Sequence, residues 1–299
     1  MINLTKKNTK QSEVEELIDQ GLTHYELYEY DKALDCLLQA FELEPTNGIV
    51  LRGIANIYIL LKDFEKAIEY CEKALAINPK DFTALLILGS AYFQQHKIEK
   101  AESLFRKAAE INPESSDAWF NLGALYKTLK EYDEALEYFQ KAVSLEPEDI
   151  MLYFTIAETL EDLDNIDESM KYYYLVLEKD PEAYPIWIRL AELHYQRKEF
   201  KKSEKCMLRI MKLDPENHIM LNNLGCVYLE LGELKKALKC INKALKLNAD
   251  FSHTWHSLGE YHEITGNKEK ALECYQNAVD LDPENREHKE ALKNIQKKN

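Results

Sequence analysis

Apolar and small residues return along this chain with a period of 34 positions. Blocks written from Val14, Gly48, Phe82, Ser116, Ile150, Tyr184, His218 and Ser252 share their columns. Within a block, positions 4, 7, 8 and 11 fall at helical spacing and form one apolar stripe. Positions 20, 24 and 27 form a second stripe on a second helix. Position 8 is always small (Gly21, Ala55, Gly89, Gly123, Ala157, Ala191, Gly225, Gly259). So is position 20 (Ala33, Ala67, Ala101, Ala135, Ser169, Ser203, Ala237, Ala271). Small residues there let two helix axes approach toward the lower end of the usual ~8–10 Å. The large residues at positions 4, 11 and 24 then fill the space above and below.

Punctuation follows the same grid. Pro45, Pro79, Pro113, Pro147, Pro181, Pro215 and Pro283 lie on it, with Ala249 at the one remaining step, and only Pro185 lies off it. A proline cannot continue a helix, so each one forces the turn into the next block. Lys62-Asp63, Lys130-Glu131, Asp164-Asn165, Gly232-Glu233 and Gly266-Asn267 mark short turns inside blocks. Ser12-Glu13-Val14-Glu15 has the pattern of a capping box, which predicts a helix start there, a polar segment over residues 1–13, and fraying over residues 1–11. Residues 286–299 hold Ala291, Leu292 and Ile295 among charges, which predicts one amphipathic helix covering the last block. Such ends imply a complete array.

The pattern resembles the tetratricopeptide repeat (TPR) family. The best single block reads Trp119, Leu122-Gly123, Tyr126, Ala135, Phe139, Ala142, Pro147. The resemblance covers residues 14–285, as eight units over 14–47, 48–81, 82–115, 116–149, 150–183, 184–217, 218–251 and 252–285. It implies an all-α, right-handed superhelical solenoid of eight TPR hairpins plus a C-terminal capping helix. It also implies that positions 2, 5, 6, 9, 12 and 13 of each first helix line a concave groove that holds a peptide segment of a partner protein.

Composition narrows the partner. Acids outnumber bases 53 to 38, for a formal charge of -15. Such a chain repels nucleic acid and anionic membrane unless its bases cluster. The only cluster is Lys293, Lys297 and Lys298 at the end. No apolar run follows the first lysines and none approaches ~18 residues, so neither a signal peptide nor a span is expected. Six cysteines without close pairing fit a reducing cytoplasm.

Two zones stand out on the implied groove face. In units two to five it is apolar, with Ile49, Ile59, Leu86, Ile87, Phe93, Phe120, Met151 and Phe154. From unit five onward it is acidic, with Glu158, Glu161, Asp162, Glu192, Glu230, Glu260 and Glu263. Arg52, Asn56, Asn121, Arg189, Asn222, Asn223 and His256 complete the candidate set. The first zone suits apolar side chains and the second suits basic ones. Burial against neighbouring first helices by superhelical curvature is the bland alternative for the first zone, and an ordinary solvated face in an acidic chain for the second. Chaperone-binding TPR domains clamp a C-terminal carboxylate. Arg52 and Asn56 match that clamp, but Ile87 stands where asparagine is needed, and Asp117 and Asn121 where bases are needed. The clamp is therefore incomplete. The asparagine ladder of protein O-GlcNAc transferase has only Asn121 and Asn223 here.

Catalysis and cofactors are not expected. There is no P-loop, G-x-G-x-x-G, G-x-S-x-G or H-E-x-x-H motif. Cys36, Cys206, Cys240 and Cys274 share position 23, a packing column whose spacing is too wide for one zinc. His253 and His256, with Cys226 on the preceding first helix, read as solvated or groove-lining side chains, and His24, His194 and His262 as packed histidines replacing tyrosine. Self-assembly through Tyr172-Tyr173-Tyr174 is the second functional reading. Ser169, Ser203, Val176 and Ile210 replace alanine in units five and six, which predicts a local change of curvature.

Overall fold

The computed structural model describes residues 2–297, with side chains placed from Lys10 onward. Met1, Lys298 and Asn299 lie outside it, so the terminal lysine cluster is only partly described. The described residues are helical throughout, joined by short turns. The helices are α1 (Ile2–Glu26), α2 (Tyr30–Leu43), α3 (Gly48–Leu60), α4 (Phe64–Ile77), α5 (Phe82–Gln94), α6 (Ile98–Ile111), α7 (Ser116–Thr128), α8 (Tyr132–Leu145) and α9 (Ile150–Asp162). They continue with α10 (Ile166–Lys179), α11 (Tyr184–Gln196), α12 (Phe200–Leu213), α13 (His218–Glu230), α14 (Leu234–Leu247), α15 (Ser252–Ile264), α16 (Lys268–Leu281) and α17 (Arg286–Lys297). The chain divides into two compact units, residues 1–169 and 170–299, and the division falls inside α10.

The first unit packs α1 on α2, α3 on α4, α5 on α6 and α7 on α8, each pair also touching the next. The second packs α11 on α12, α13 on α14 and α15 on α16, with α17 laid on α16. First helices also meet directly, α3 with α5 and α5 with α7 in the first unit, α13 with α15 in the second.

The crossing of each hairpin is set by a pair of side chains. A Cβ added at Gly89 would lie 2.5 Å from the Phe105 ring, at Gly123 2.6 Å from Phe139, and at Gly259 2.6 Å from Tyr275. In these three hairpins glycine at position 8 makes room for an aromatic ring at position 24. Where position 8 is Ala55, position 24 is the smaller Cys71, and both are buried.

Each turn is closed by a left-handed residue at position 15: Tyr28, Lys62, His96, Lys130, Asp164, Lys198, Gly232 and Gly266. Lys62 N–H donates to Ile59 O and Asp63 N–H to Tyr58 O, the pair of bonds that ends a helix on a left-handed residue. At the other boundary, side chains at position 34 cap the next first helix. Asn47 accepts from Ile49 and Val50 N–H, Asp81 from Ala84, Asp149 from Met151 and Asn217 from Met220.

One expectation changes. The helix α1 starts at Ile2 and runs through Ser12, so the capping-box pattern does not mark a helix start and the residues before it are helical. In the tyrosine run Tyr173 is buried, Tyr172 is half-buried and Tyr174 is exposed, its hydroxyl in a 2.9 Å hydrogen bond with His194 Nε2.

Candidate peptide-binding groove

The groove candidates of the first unit stand on α3, α5, α7 and α9. Ile59, Leu86, Ile87, Phe93, Phe120 and Phe154 are all half-buried. The first four pack against buried core clusters, and Phe120 lies 5.7 Å from Phe139, ring to ring. These side chains are thus the outer edge of the core as well as an apolar surface. Ile49 and Met151 are the open ones, at 57% and 61% exposure.

The polar candidates of this unit are already engaged. The Arg52 guanidinium is ion-paired with the buried Asp81, and Asn56 donates to Tyr25 Oη at 3.2 Å. The two residues that match a carboxylate clamp are thus held by their own neighbours. Asn121 Nδ2 bonds its own helix at Asp117 O (2.9 Å). Glu158 lies 3.3 Å and Asp162 3.8 Å from Lys127 Nζ, so this part of the acidic face carries its own counter-charge.

In the second unit Arg189 Nη1 lies 3.1 Å from Glu192. Two open pockets adjoin there. One, about 270 Å³, is lined by Glu192, Tyr195, Gln196, Met207, Asn223 and Cys226. The other, about 410 Å³, is lined by Tyr195, Cys226, Leu229, Glu230, Glu260, Glu263, Ile264 and Tyr275. Burial pushes the Tyr195 hydroxyl up to about 12, and Cys226, Glu230 and Glu260 push the same way. Tyr275 Oη donates to Glu263 at 3.0 Å. The larger pocket brings three carboxylates together with two tyrosines and two aliphatic side chains, a cation-attracting arrangement.

Two candidates are corrected. Asn222 is 4% exposed, and His256 is 9% exposed beneath α17, so neither presents its side chain to a groove. His256 sits where the last helix closes over it, which position in the repeat does not reveal. Cys226 is engaged with Ser257 Oγ at 3.2 Å. Tyr195, Gln196, Leu229 and Ile264 were missed as pocket walls. They stand at positions 12 and 13, already counted as groove positions, so the signal was present. Tyr275 reaches in from a second helix, and only packing shows that.

A further contact repeats along the chain. Trp119, Trp187 and Trp255 donate Nε1–H to Pro113 O, Pro181 O and Ala249 O, and Tyr153 Oη donates to Pro147 O. Where position 4 is tryptophan or tyrosine it binds the preceding turn while filling space. His194 is 2% exposed, with Nδ1 2.6 Å from Glu199, which fits the packed role expected of it.

Models described as tetratricopeptide repeat match residues 18–82, 59–126, 116–149, 152–182, 184–217, 219–251 and 252–285. The chain belongs to the tetratricopeptide repeat family, whose arrays are in general protein-interaction scaffolds. Among solved structures it is similar to TTC0263, a thermophilic TPR protein of Thermus thermophilus, with TM-score 0.55 and 23% identity over 60% of this chain and 98% of that one. It is also similar to pilF of Pseudomonas aeruginosa, with TM-score 0.58 and 20% identity over 76% of this chain and 98% of that one. These likenesses concern the fold. None of the curated proteins compared matches the chain. No described helix is long and apolar enough to cross a membrane.

Proposed function

We propose that the chain is an adaptor that holds a segment of another protein along its first helices, with a basic side chain of that segment in the pocket of α11, α13 and α15. One observation carries this reading: Glu230, Glu260 and Glu263 line an open volume of about 410 Å³ together with Tyr195, Cys226, Leu229, Ile264 and Tyr275. A lysine or arginine would lay its methylenes on the tyrosines and aliphatic side chains and its charge among the carboxylates. The net charge of -15 speeds the approach of a basic segment. The half-buried Phe93 and Phe120 of the first unit are the alternative, apolar site.

Capture from native lysate tests the proposal. Wild type is compared with Glu230→Lys/Glu260→Lys and with Phe93→Glu/Phe120→Glu. The expected result is a protein bound by wild type, released by salt, and lost from the double-lysine variant. Equal capture by wild type and the double-lysine variant overturns the basic-pocket reading. Loss only from the double-glutamate variant moves the site to α5 and α7.

A further inference from the structure

The last hairpin carries a cluster that the groove does not use. Helix α17 lies on α16 through Ile295, with Ala291 and Leu292 beside it, against Ala271 and Tyr275. Its first turn is held differently. His288 is fully buried, with Nδ1 3.1 Å from His256 Nδ1 and Nε2 3.2 Å from Ser252 Oγ. The His253 ring meets the His288 ring edge-on at 5.0 Å and stacks on Phe251, which stacks on His218.

Proton counting defines what this arrangement tolerates. Two ring nitrogens 3.1 Å apart share one hydrogen, so one ring donates and the other accepts. If both rings are protonated, two N–H groups point at each other and the contact cannot exist. The closed pair therefore holds at most one extra proton, whereas the separated rings hold one each.

We propose that His288 and His256 form a proton-sensitive latch that releases α17 from the last hairpin as pH falls through the histidine range. Release uncovers the strip of Ala271 and Tyr275 that Ile295 covers. The surroundings set the balance. From α15, His253 faces His288, and Glu260 lies 3.7 Å from His256 Nε2. From α17, Glu287 lies 3.9 Å from that same nitrogen. Tyr275 of α16 lies 5.3 Å from the His256 ring, centroid to centroid. Burial, then His256 and His253, hold His288 below its ordinary value, while Asp282 and Glu287 oppose them. Folded His288 is thus neutral where a released one takes a proton. The latch is fully closed above about pH 6.5 and weakens below it. The latch shares Glu260 and Tyr275 with the pocket of the proposed function, but its readout is the opening of α17 and not binding.

Hydrogen exchange of the full chain, read by mass spectrometry and corrected for intrinsic rates, tests it at pH 7.5, 6.5 and 5.5. The expected result is that opening of α17 rises by roughly tenfold per pH unit below 6.5, the slope of one coupled proton, while α14 stays protected. In His288→Gln the α17 profile flattens. The proposal is overturned if wild-type α17 tracks α14 across the range, or if His288→Gln keeps the slope. Should that variant leave α17 open at every pH, the wild-type imidazole resonances decide. A His288 titration that coincides with loss of α17 protection supports the latch, and one that leaves α17 unmoved overturns it.

Discussion

At the scale of single residues, the two serines that replace alanine at position 20 have opposite fates. Ser203 Oγ donates to Ala191 O at 2.8 Å, so its hydroxyl is buried with a partner. Ser169 Oγ is buried with none. An unsatisfied buried hydroxyl costs about 1–3 kcal/mol, and a satisfied one contributes about 0.5–1.5. Ser169→Ala is therefore expected to raise the urea midpoint and Ser203→Ala to lower it. The same sign for both would refute the assignment. The column itself was legible, because only a small side chain fits where two helices cross. Which serine finds a carbonyl was not, since that depends on the angle of the Cα–Cβ bond to the facing helix. Glycine and phenylalanine show the same limit. Gly123 and Phe139 stand in regular columns, but that one fills the place of the other's Cβ is a fact of packing.

At the scale of helices and turns, the short connections were legible and their geometry was not. All eight position-15 residues have positive φ, six of them without being glycine. Only Gly232 and Gly266 advertise that conformation in the sequence. The others accept it because the turn's two hydrogen bonds and the next helix fix the path. A left-handed conformation costs an L-residue roughly 1–2 kcal/mol, which a lysine at this site has already met. Gly232→Ala should then destabilise by about 1 kcal/mol despite having open space around its Cβ position. Lys130→Gly should change stability by less than about 0.5 kcal/mol, because relief of strain is offset by a looser unfolded chain. Denaturation midpoints of the two variants check this. A neutral Gly232→Ala would mean that the turn relaxes when substituted. The caps at Asn47, Asp81, Asp149 and Asn217 were a readable signal: an amide or carboxylate directly before each apolar helix.

At the scale of the whole molecule, the two units carry different acid chemistry. His194, His262 and His288, all in the second unit, are held below their ordinary value by burial. Each is neutral when folded and takes a proton when unfolded. Their contribution is complete above the unfolded value of 6.5 and is lost as pH falls from there toward the folded values. Carboxylates held low occur in both units, Glu199 and Glu233 among them in the second. In the first, Lys32 and His24 hold Glu29 down, Lys66 holds Asp63 down, and Tyr126 holds Glu102 down. Their contribution persists down to the ordinary carboxylate range, near 4.5 and 3.8, and is lost only below it. The second unit should therefore lose stability at higher pH than the first. The tryptophans allow each unit to be followed separately. Trp119 lies in the first unit, and Trp187 and Trp255 in the second. In a Trp187→Phe/Trp255→Phe variant, fluorescence-detected urea unfolding reports the first unit alone, and in Trp119→Phe the second alone. Between pH 7 and 5 the second midpoint should fall clearly and the first should hold nearly constant. Parallel movement of the two would show that the buried histidines do not govern the acid response, and that the shared surplus of negative charge does.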